Sequence, residues 1–404
     1  ALCGCAPPAR PVARVVVIGG GFGGATAAKY IRLWAPEIEV VLVEREHAFV
    51  SCPLRNLVLG GSARIEDLTT GYDALQKKYG VRLMHDEAVS VDAARREVRL
   101  ARGDVLRYDR LIVSPGIHFQ YDQVPGLESA EAQARVLHAW KAGPQTVALR
   151  KQLEALPDGG VYALHIPKAP YRCPPGPYER ACQVAFYFKQ HKPRAKVLVV
   201  DANPDIVSKK GLFLKAWADR YPGLVEYRPN SELVSVDAAT NTLELQFEKV
   251  RAGVLNVVPP QQAGKIAQTA GLITANKRWC GVDWRTLESV AVPGVHVLGD
   301  ATLSAPGMPK SGFMANNQAK VAADAVIALL TGRTVNPEPI LANTCYSFVS
   351  DTDVVHVASV HKYDAKEKTL VPVPGAGGLS PEANAAEGIY ARAWARNIWA
   401  DMLL

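Results

Sequence analysis

Three cysteines and one glutamate stand where this chain could do chemistry. Of its seven cysteines, Cys173 lies in His165-Ile166-Pro167-Lys168-Ala169-Pro170-Tyr171-Arg172-Cys173-Pro174-Pro175-Gly176-Pro177-Tyr178-Glu179. Cys345 lies far downstream, in Asn343-Thr344-Cys345-Tyr346-Ser347, and Cys52 lies in Phe49-Val50-Ser51-Cys52-Pro53-Leu54. A thiolate is a nucleophile, and it exchanges with disulfides. From spacing alone, Cys173 and Cys345 read as two unrelated buried thiols sooner than as a reactive pair. Glu179, at the start of a helix six residues after Cys173, reads either as a general acid or base or as a glutamate stabilised by the helix dipole. Cys182 and Cys280 read as structural. The nine histidines show no metal-ligand spacing, and no metal is expected.

Such groups need a frame, and the N-terminal region supplies one. Val15-Val16-Val17-Ile18 runs as an apolar strand into Gly19-Gly20-Gly21-Phe22-Gly23-Gly24, a Gly-x-Gly-x-x-Gly turn, followed by helix-compatible Ala25 to Ile31. Gly19 serves the tight turn, Gly21 lets the backbone approach a pyrophosphate, and Gly24 lets helix and strand pack closely. Val40 to Val43 forms the next strand and ends at Glu44, about 20 residues after the last glycine, where a ribose-binding carboxylate belongs. The far end of the chain carries Val295-His296-Val297-Leu298-Gly299-Asp300-Ala301. This resembles the motif whose aspartate holds the ribityl chain of FAD in flavoproteins with two dinucleotide-binding units. Tyr108 to Gly116 resembles the strand end that closes the FAD domain of that superfamily. Together these motifs imply FAD.

A second α/β unit follows, because Lys196 to Asp201 is again an apolar strand ending in an acid. Where a second glycine turn would stand, the chain has Cys173, Glu179 and prolines at 167, 170, 174, 175 and 177. Proline lacks the N–H donor that a phosphate site uses, so no nicotinamide cofactor is expected. The fold class is α/β: two Rossmann-like units plus a small C-terminal α+β domain. The expected boundaries are 12–130 with 265–334 for the FAD domain, 131–264 for the second unit and 335–404 for the C-terminal domain. A helix is expected from Asn316 to Leu330, and Val371 to Gly378 reads as a loop.

The net charge of +7 comes without a long basic run, so nucleic acid is not expected as a partner. No apolar stretch is long enough to span a membrane. The C-terminal Ile389 to Leu404 is expected to pack back onto the flavin domain. The chain begins at Ala1, which suggests a removed leader and, with the cysteine content, an exported protein. Cys3 and Cys5 belong to that start and have no assigned role.

The segments Arg172 to Glu179, Pro259 to Lys265, Met308-Pro309-Lys310-Ser311-Gly312 and Asn343 to Ser347, with Cys52, resemble the flavoprotein subunit of flavocytochrome c sulfide dehydrogenase. The resemblance runs from about residue 12 to the C-terminus. It implies a redox-active Cys173–Cys345 disulfide attacked by sulfide, with Glu179 as acid or base. It implies FAD joined by a thioether to Cys52, although Pro53 departs from the pattern. Lys310 and Ser311 would lie at the flavin pyrimidine and Trp394 against the sulfide pocket. The partner implied is a periplasmic c-type cytochrome subunit in a heterodimer, and it must carry the haem because this chain has no Cys-x-x-Cys-His. Alternatives are a sulfide:quinone reductase, an NADH dehydrogenase and a non-catalytic flavoprotein of a sulfur-oxidation complex.

Overall fold

The computed structural model describes residues 12–404, so Cys3 and Cys5 lie outside the described residues. The first unit is built on a seven-stranded sheet. Its parallel part runs Val295–Val297, Arg110–Val113, Ala13–Ile18, Ile38–Val43 and Arg82–Met84. Val15, Val16, Val17, Val40, Val41 and Leu42 are fully buried, as strands covered on both faces require. Burying one such side chain is worth roughly 1.5–3 kcal/mol. The helices Phe22–Trp34 and Gly312–Thr331 pack side by side on one face. Alanines at 25, 27, 28, 319, 322 and 323 are buried between helix and sheet or helix and helix, and their small size permits the close approach.

The second unit is a four-stranded parallel sheet in the order Val225–Arg228, Lys196–Asp201, Val161–Ile166 and Val254–Val257. The helix Gly176–His191 follows the strand Val161–Ile166 after the proline-rich turn. The chain passes between units on two adjacent strands, Ile117–Phe119 and Gln261–Ala263, which pair antiparallel. The C-terminal part is an antiparallel sheet of Ile340–Phe348, Val354–Asp364 and Thr369–Pro372, followed by the helix Ala385–Leu403. The chain is therefore an α/β protein with two Rossmann-like sheets and an α+β C-terminal part.

Two element boundaries differ from expectation. The helix expected from Asn316 begins at Gly312, because the Ser311 hydroxyl accepts the Met314 N–H and caps it. Val371 and Pro372, expected in a loop, pair with Lys362 and His361. Proline is tolerated there because Thr369–Pro372 is an edge strand.

The C-terminal helix lies on the first unit. Lys29 Nζ donates to the Ala400 carbonyl (2.9 Å), and Asp401 receives the Tyr30 hydroxyl and pairs with Lys320 (3.0 Å). Among the described residues no helix is long and apolar enough to cross a membrane.

Candidate active site

A cavity of about 800 Å³ runs from the glycine turn to the thiols. Every residue singled out above for site chemistry lines it except Gly24. Gly24 instead packs the helix against the strand, since a Cβ there would fall 1.8 Å from the Gly19 carbonyl oxygen. A Cβ on Gly21 would meet nothing and would project into open space. Gly19 sits at φ +95°, a conformation that favours glycine. Glu44 is fixed at the wall by the N–H groups of Gly20 (2.7 Å) and Glu46 (2.9 Å). Asp300, on the short turn Gly299–Ala301, carries a buried Oδ1 with no hydrogen-bond partner. An open cradle before a helix N-terminus, a fixed carboxylate and an orphaned acceptor further along suit an extended dinucleotide.

At the other end three parts of the chain meet. Cys173 stands at φ +60°, sparsely populated for a residue with a side chain and costing on the order of 1–3 kcal/mol. Its N–H donates to the Lys310 carbonyl (2.8 Å), which ties the second unit to the first. Cys345 arrives on the strand Ile340–Phe348, opposite Val357, and the Asn343 amide donates to its sulfur (3.3 Å). The two sulfurs are unbonded in this structure. Burial pushes both thiols up; Arg55 opposes this at Cys173 and Lys209 at Cys345. Glu179 is buried, and its carboxylate accepts the Asn56 amide (2.7 Å) and the Phe348 N–H (2.9 Å). Burial still raises it above the usual carboxylate range. It can therefore hold a proton beside the two thiols at higher pH than an exposed glutamate.

Cys52 lies between these ends, just before the short helix Arg55–Gly60. Arg172 Nη2 donates to its sulfur at 2.7 Å, and Arg55 Nη1 to its carbonyl at 2.8 Å. Burial alone would push the Cys52 thiol up, but the Arg172 and Arg55 charges outweigh it and hold it below the ordinary thiol value. Ser311 donates to Asn343 Oδ1 (2.5 Å). Lys310 turns its ammonium to the carbonyls of Asp300 (3.0 Å) and Thr302 (2.5 Å), over the Trp279 ring at 3.8 Å. Trp394 borders the cavity in contact with Phe313 and Tyr346.

The second unit has the strand-end acid of a dinucleotide site but has engaged it internally. Asp201 is fully buried and accepts from the Tyr178 and Tyr227 hydroxyls and from both the backbone and side chain of Asn203. No oxygen is left facing outward for a ribose.

Four side chains around the site escaped sequence reasoning: Arg55, Arg172, Lys209 and Trp140. Arg55 and Arg180 lie on the Trp140 ring at 4.5 and 4.9 Å. Lys209 is buried at φ +57° and donates to the Cys345 carbonyl and the Ser347 hydroxyl (2.8 Å each). Burial lowers it to about 8. Arg172, adjacent to Cys173, was the one with a local signal.

Three family models match the chain. Residues 13–151 match pyridine nucleotide-disulphide oxidoreductases, 146–259 the central domain of the flavocytochrome c sulfide dehydrogenase flavoprotein chain, and 337–403 its flavin-binding domain. A 45-residue stretch, 11% of this chain, is 62% identical to the sulfide dehydrogenase [flavocytochrome c] flavoprotein chain of Chlorobaculum thiosulfatiphilum and covers 94% of that chain. The mitochondrial sulfide:quinone oxidoreductase of Mus musculus is 24% identical over 307 residues, 71% of this chain and 65% of that one, so the match falls short of that relative's full length. Among solved structures, the sulfide:quinone oxidoreductase of Aquifex aeolicus superposes with a TM-score of 0.80 at 18% identity, covering 96% of this chain and 91% of that one. The specific models cover both the unit that carries Cys173 and the part that carries Cys345, and the chain belongs to the family of the flavocytochrome c sulfide dehydrogenase flavoprotein chain.

Proposed function

We propose that this chain is the FAD-bearing subunit of a sulfide:cytochrome c oxidoreductase. The observation that carries the reading is the convergence of Cys173, Cys345 and Glu179, from a turn, a strand and a helix, on the cavity whose other end is the Gly21–Glu44 cradle. Gly19, Gly21, Glu44, Gly299 and Asp300 would hold FAD, and Cys52 would be its covalent attachment. FAD supplies a two-electron acceptor that releases electrons one at a time.

The working form of the thiols is the Cys173–Cys345 disulfide. Hydrosulfide attacks one sulfur, a new S–S bond forms as a persulfide, the old bond breaks, and the other cysteine leaves as a thiolate. Glu179 takes up or returns the proton that hydrogen sulfide must lose. Trp394, Phe313 and Tyr346 form an aromatic wall of the same cavity. The partner is a periplasmic c-type cytochrome, which receives the electrons.

Two features argue against NAD(P)H as the electron source: the five prolines of the Cys173 turn and the internal engagement of Asp201. The test is anaerobic. Sulfide should bleach the flavin at once and excess NADH should not; rapid bleaching by NADH overturns the reading. A quinone acceptor is the second reading, favoured by the mouse and Aquifex likenesses. Steady-state reduction of a c-type cytochrome set against a short-chain quinone, with sulfide as donor, decides between them.

A further inference from the structure

Cys52 is surrounded in a way that a merely space-filling thiol would not need. Cys52 borders the cavity, and Arg172, itself partly buried, places Nη2 2.7 Å from its sulfur while also donating to the Trp140 carbonyl at 2.7 Å. The second bond fixes the guanidinium, so the arginine is held in place whether or not the thiol is ionised. Arg55 adds a second cation. It is 1% exposed, it donates Nη1 to the Cys52 carbonyl, and its Nε and Nη2 have no acceptor. The charged groups facing the sulfur are Arg172, Arg55 and Lys141, against one acid, Asp300. Against a neutral thiol the guanidinium gains only a weak acceptor; against a thiolate it forms a charge-assisted pair.

We propose that Arg172 is the positioning residue that keeps Cys52 as an anionic nucleophile aimed at the cavity, so that the chain attaches its own flavin without a helper enzyme. The inference rests on the reading of Cys52 as the attachment site and goes beyond it in naming what makes that thiol reactive. In the attachment step a C–S bond forms between Cys52 Sγ and the flavin 8α carbon, and one C–H bond of that carbon breaks. The proton leaves to solvent, and the electron pair stays on the flavin ring, which dioxygen then reoxidises. Arg172 supplies no proton and takes none. It stabilises the sulfur anion before the step, and keeps the Trp140 carbonyl as partner after it.

The test uses the full chain expressed under riboflavin limitation, so that flavin-free protein is obtained. After reduction of the chain and removal of the reductant, iodoacetamide labelling at pH 6.5, mapped by peptide mass, should modify Cys52 at least ~10-fold faster than Cys173 or Cys345, since only the thiolate reacts. Arg172→Gln should remove that advantage, and Arg172→Lys should restore part of it. Added FAD should become acid-stable on the wild-type chain. On Arg172→Gln it should bind but attach at least ~10-fold more slowly, as read by intact mass. Equal labelling of Cys52 and the other two thiols in the wild type overturns the proposal even if no variant folds. Wild-type attachment rates in Arg172→Gln also overturn it, while leaving Cys52 as the attachment site. If Cys52 labels fast but wild-type FAD never becomes acid-stable, the attachment reading and the self-attachment both fail.

Discussion

The two Rossmann units share a strand, turn and helix, yet they put opposite things at the turn. In the first, Gly21 leaves space in front of the Phe22–Trp34 helix and Glu44 stands at the cavity wall. In the second, the turn before Gly176–His191 holds Cys173 at φ +60°, prolines and Glu179, and the strand-end acid Asp201 is consumed by Tyr178, Tyr227 and Asn203. The helix N-terminus that would bind a phosphate instead presents a thiol and a carboxylate to the first unit's cavity. The frame specifies a location at the strand ends; the turn residues decide whether that location receives a dinucleotide or contributes a redox group.

The largest effect should come from removing the thiol pair that the second unit and the C-terminal sheet supply, while leaving the first unit alone. Cys345→Ser or Cys173→Ser should lower sulfide-driven flavin reduction by about 1,000-fold or more, the scale seen when one member of a reacting unit is lost. FAD should stay bound and photoreducible. A Cys345→Ser protein that reduces cytochrome c with sulfide at the wild-type rate would sink the disulfide mechanism.

The converse break is made in the first unit. Gly21→Val puts a side chain into the open space of the cradle and should weaken FAD binding by about 100-fold or more, some 2.7 kcal/mol. It is best measured in a Cys52→Ser background, where no covalent bond can mask the loss. Thiol labelling of Cys173 in the reduced chain should be unaffected. Retention of stoichiometric flavin by the double variant would mean that the turn is not the phosphate cradle.

Glu179 sharpens the comparison, because it occupies the helix position where the first unit keeps small residues. Burial raises its folded-state value, so the folded chain binds this proton more tightly than the unfolded chain does. Its effect on stability is therefore unfavourable above the unfolded value, and stability falls as pH rises between the unfolded and folded values. As a base for hydrogen sulfide it should give a rate that climbs with pH above the usual carboxylate range. Glu179→Gln should lose that limb and about 100-fold in rate. A profile unchanged in Glu179→Gln would reduce the residue to a bridge between Asn56 and the Phe348 N–H.

The first unit was readable because its signals are local. An apolar run, three glycines at fixed spacing and an acid after the next strand all fall within residues 15–44. Cys173 was readable for the same reason, as a break in an expected pattern. The arginines were not, because arginine is ordinarily a surface residue. Only the meeting of distant elements buries Arg55 against Trp140 and brings Arg172 beside Cys52. Lys209 is 136 positions from Cys345, so its bond to that carbonyl has no sequence signature. The start of the Gly312–Thr331 helix was a missed local signal, since Ser311 is a good capping residue placed directly before it. The short strand ending at Pro372 was hidden by a composition that favours loops, overridden by pairing to Lys362 and His361.

The smallest expected effect concerns Lys310, where the two units touch. Its carbonyl receives the Cys173 N–H, while its ammonium is engaged by the carbonyls of Asp300 and Thr302 and the Trp279 ring. A cation so occupied has no donor free to serve a reduced flavin ring; its contribution is to hold the Asp300 turn against the Cys173 turn. Lys310→Met should then cost about 1–3 kcal/mol in urea unfolding, the penalty for leaving buried carbonyls unpaired, and should change the sulfide-driven rate only a few-fold. Burial lowers this lysine to about 8, so the folded chain holds its proton less tightly than the unfolded one. That penalty on the wild-type chain eases as pH rises from about 8 toward the ordinary lysine value, and the stability difference between wild type and Lys310→Met should vary over that interval. A large drop in flavin midpoint potential with unchanged stability would reverse the assignment and make Lys310 a partner of the reduced ring rather than a tie between the two units.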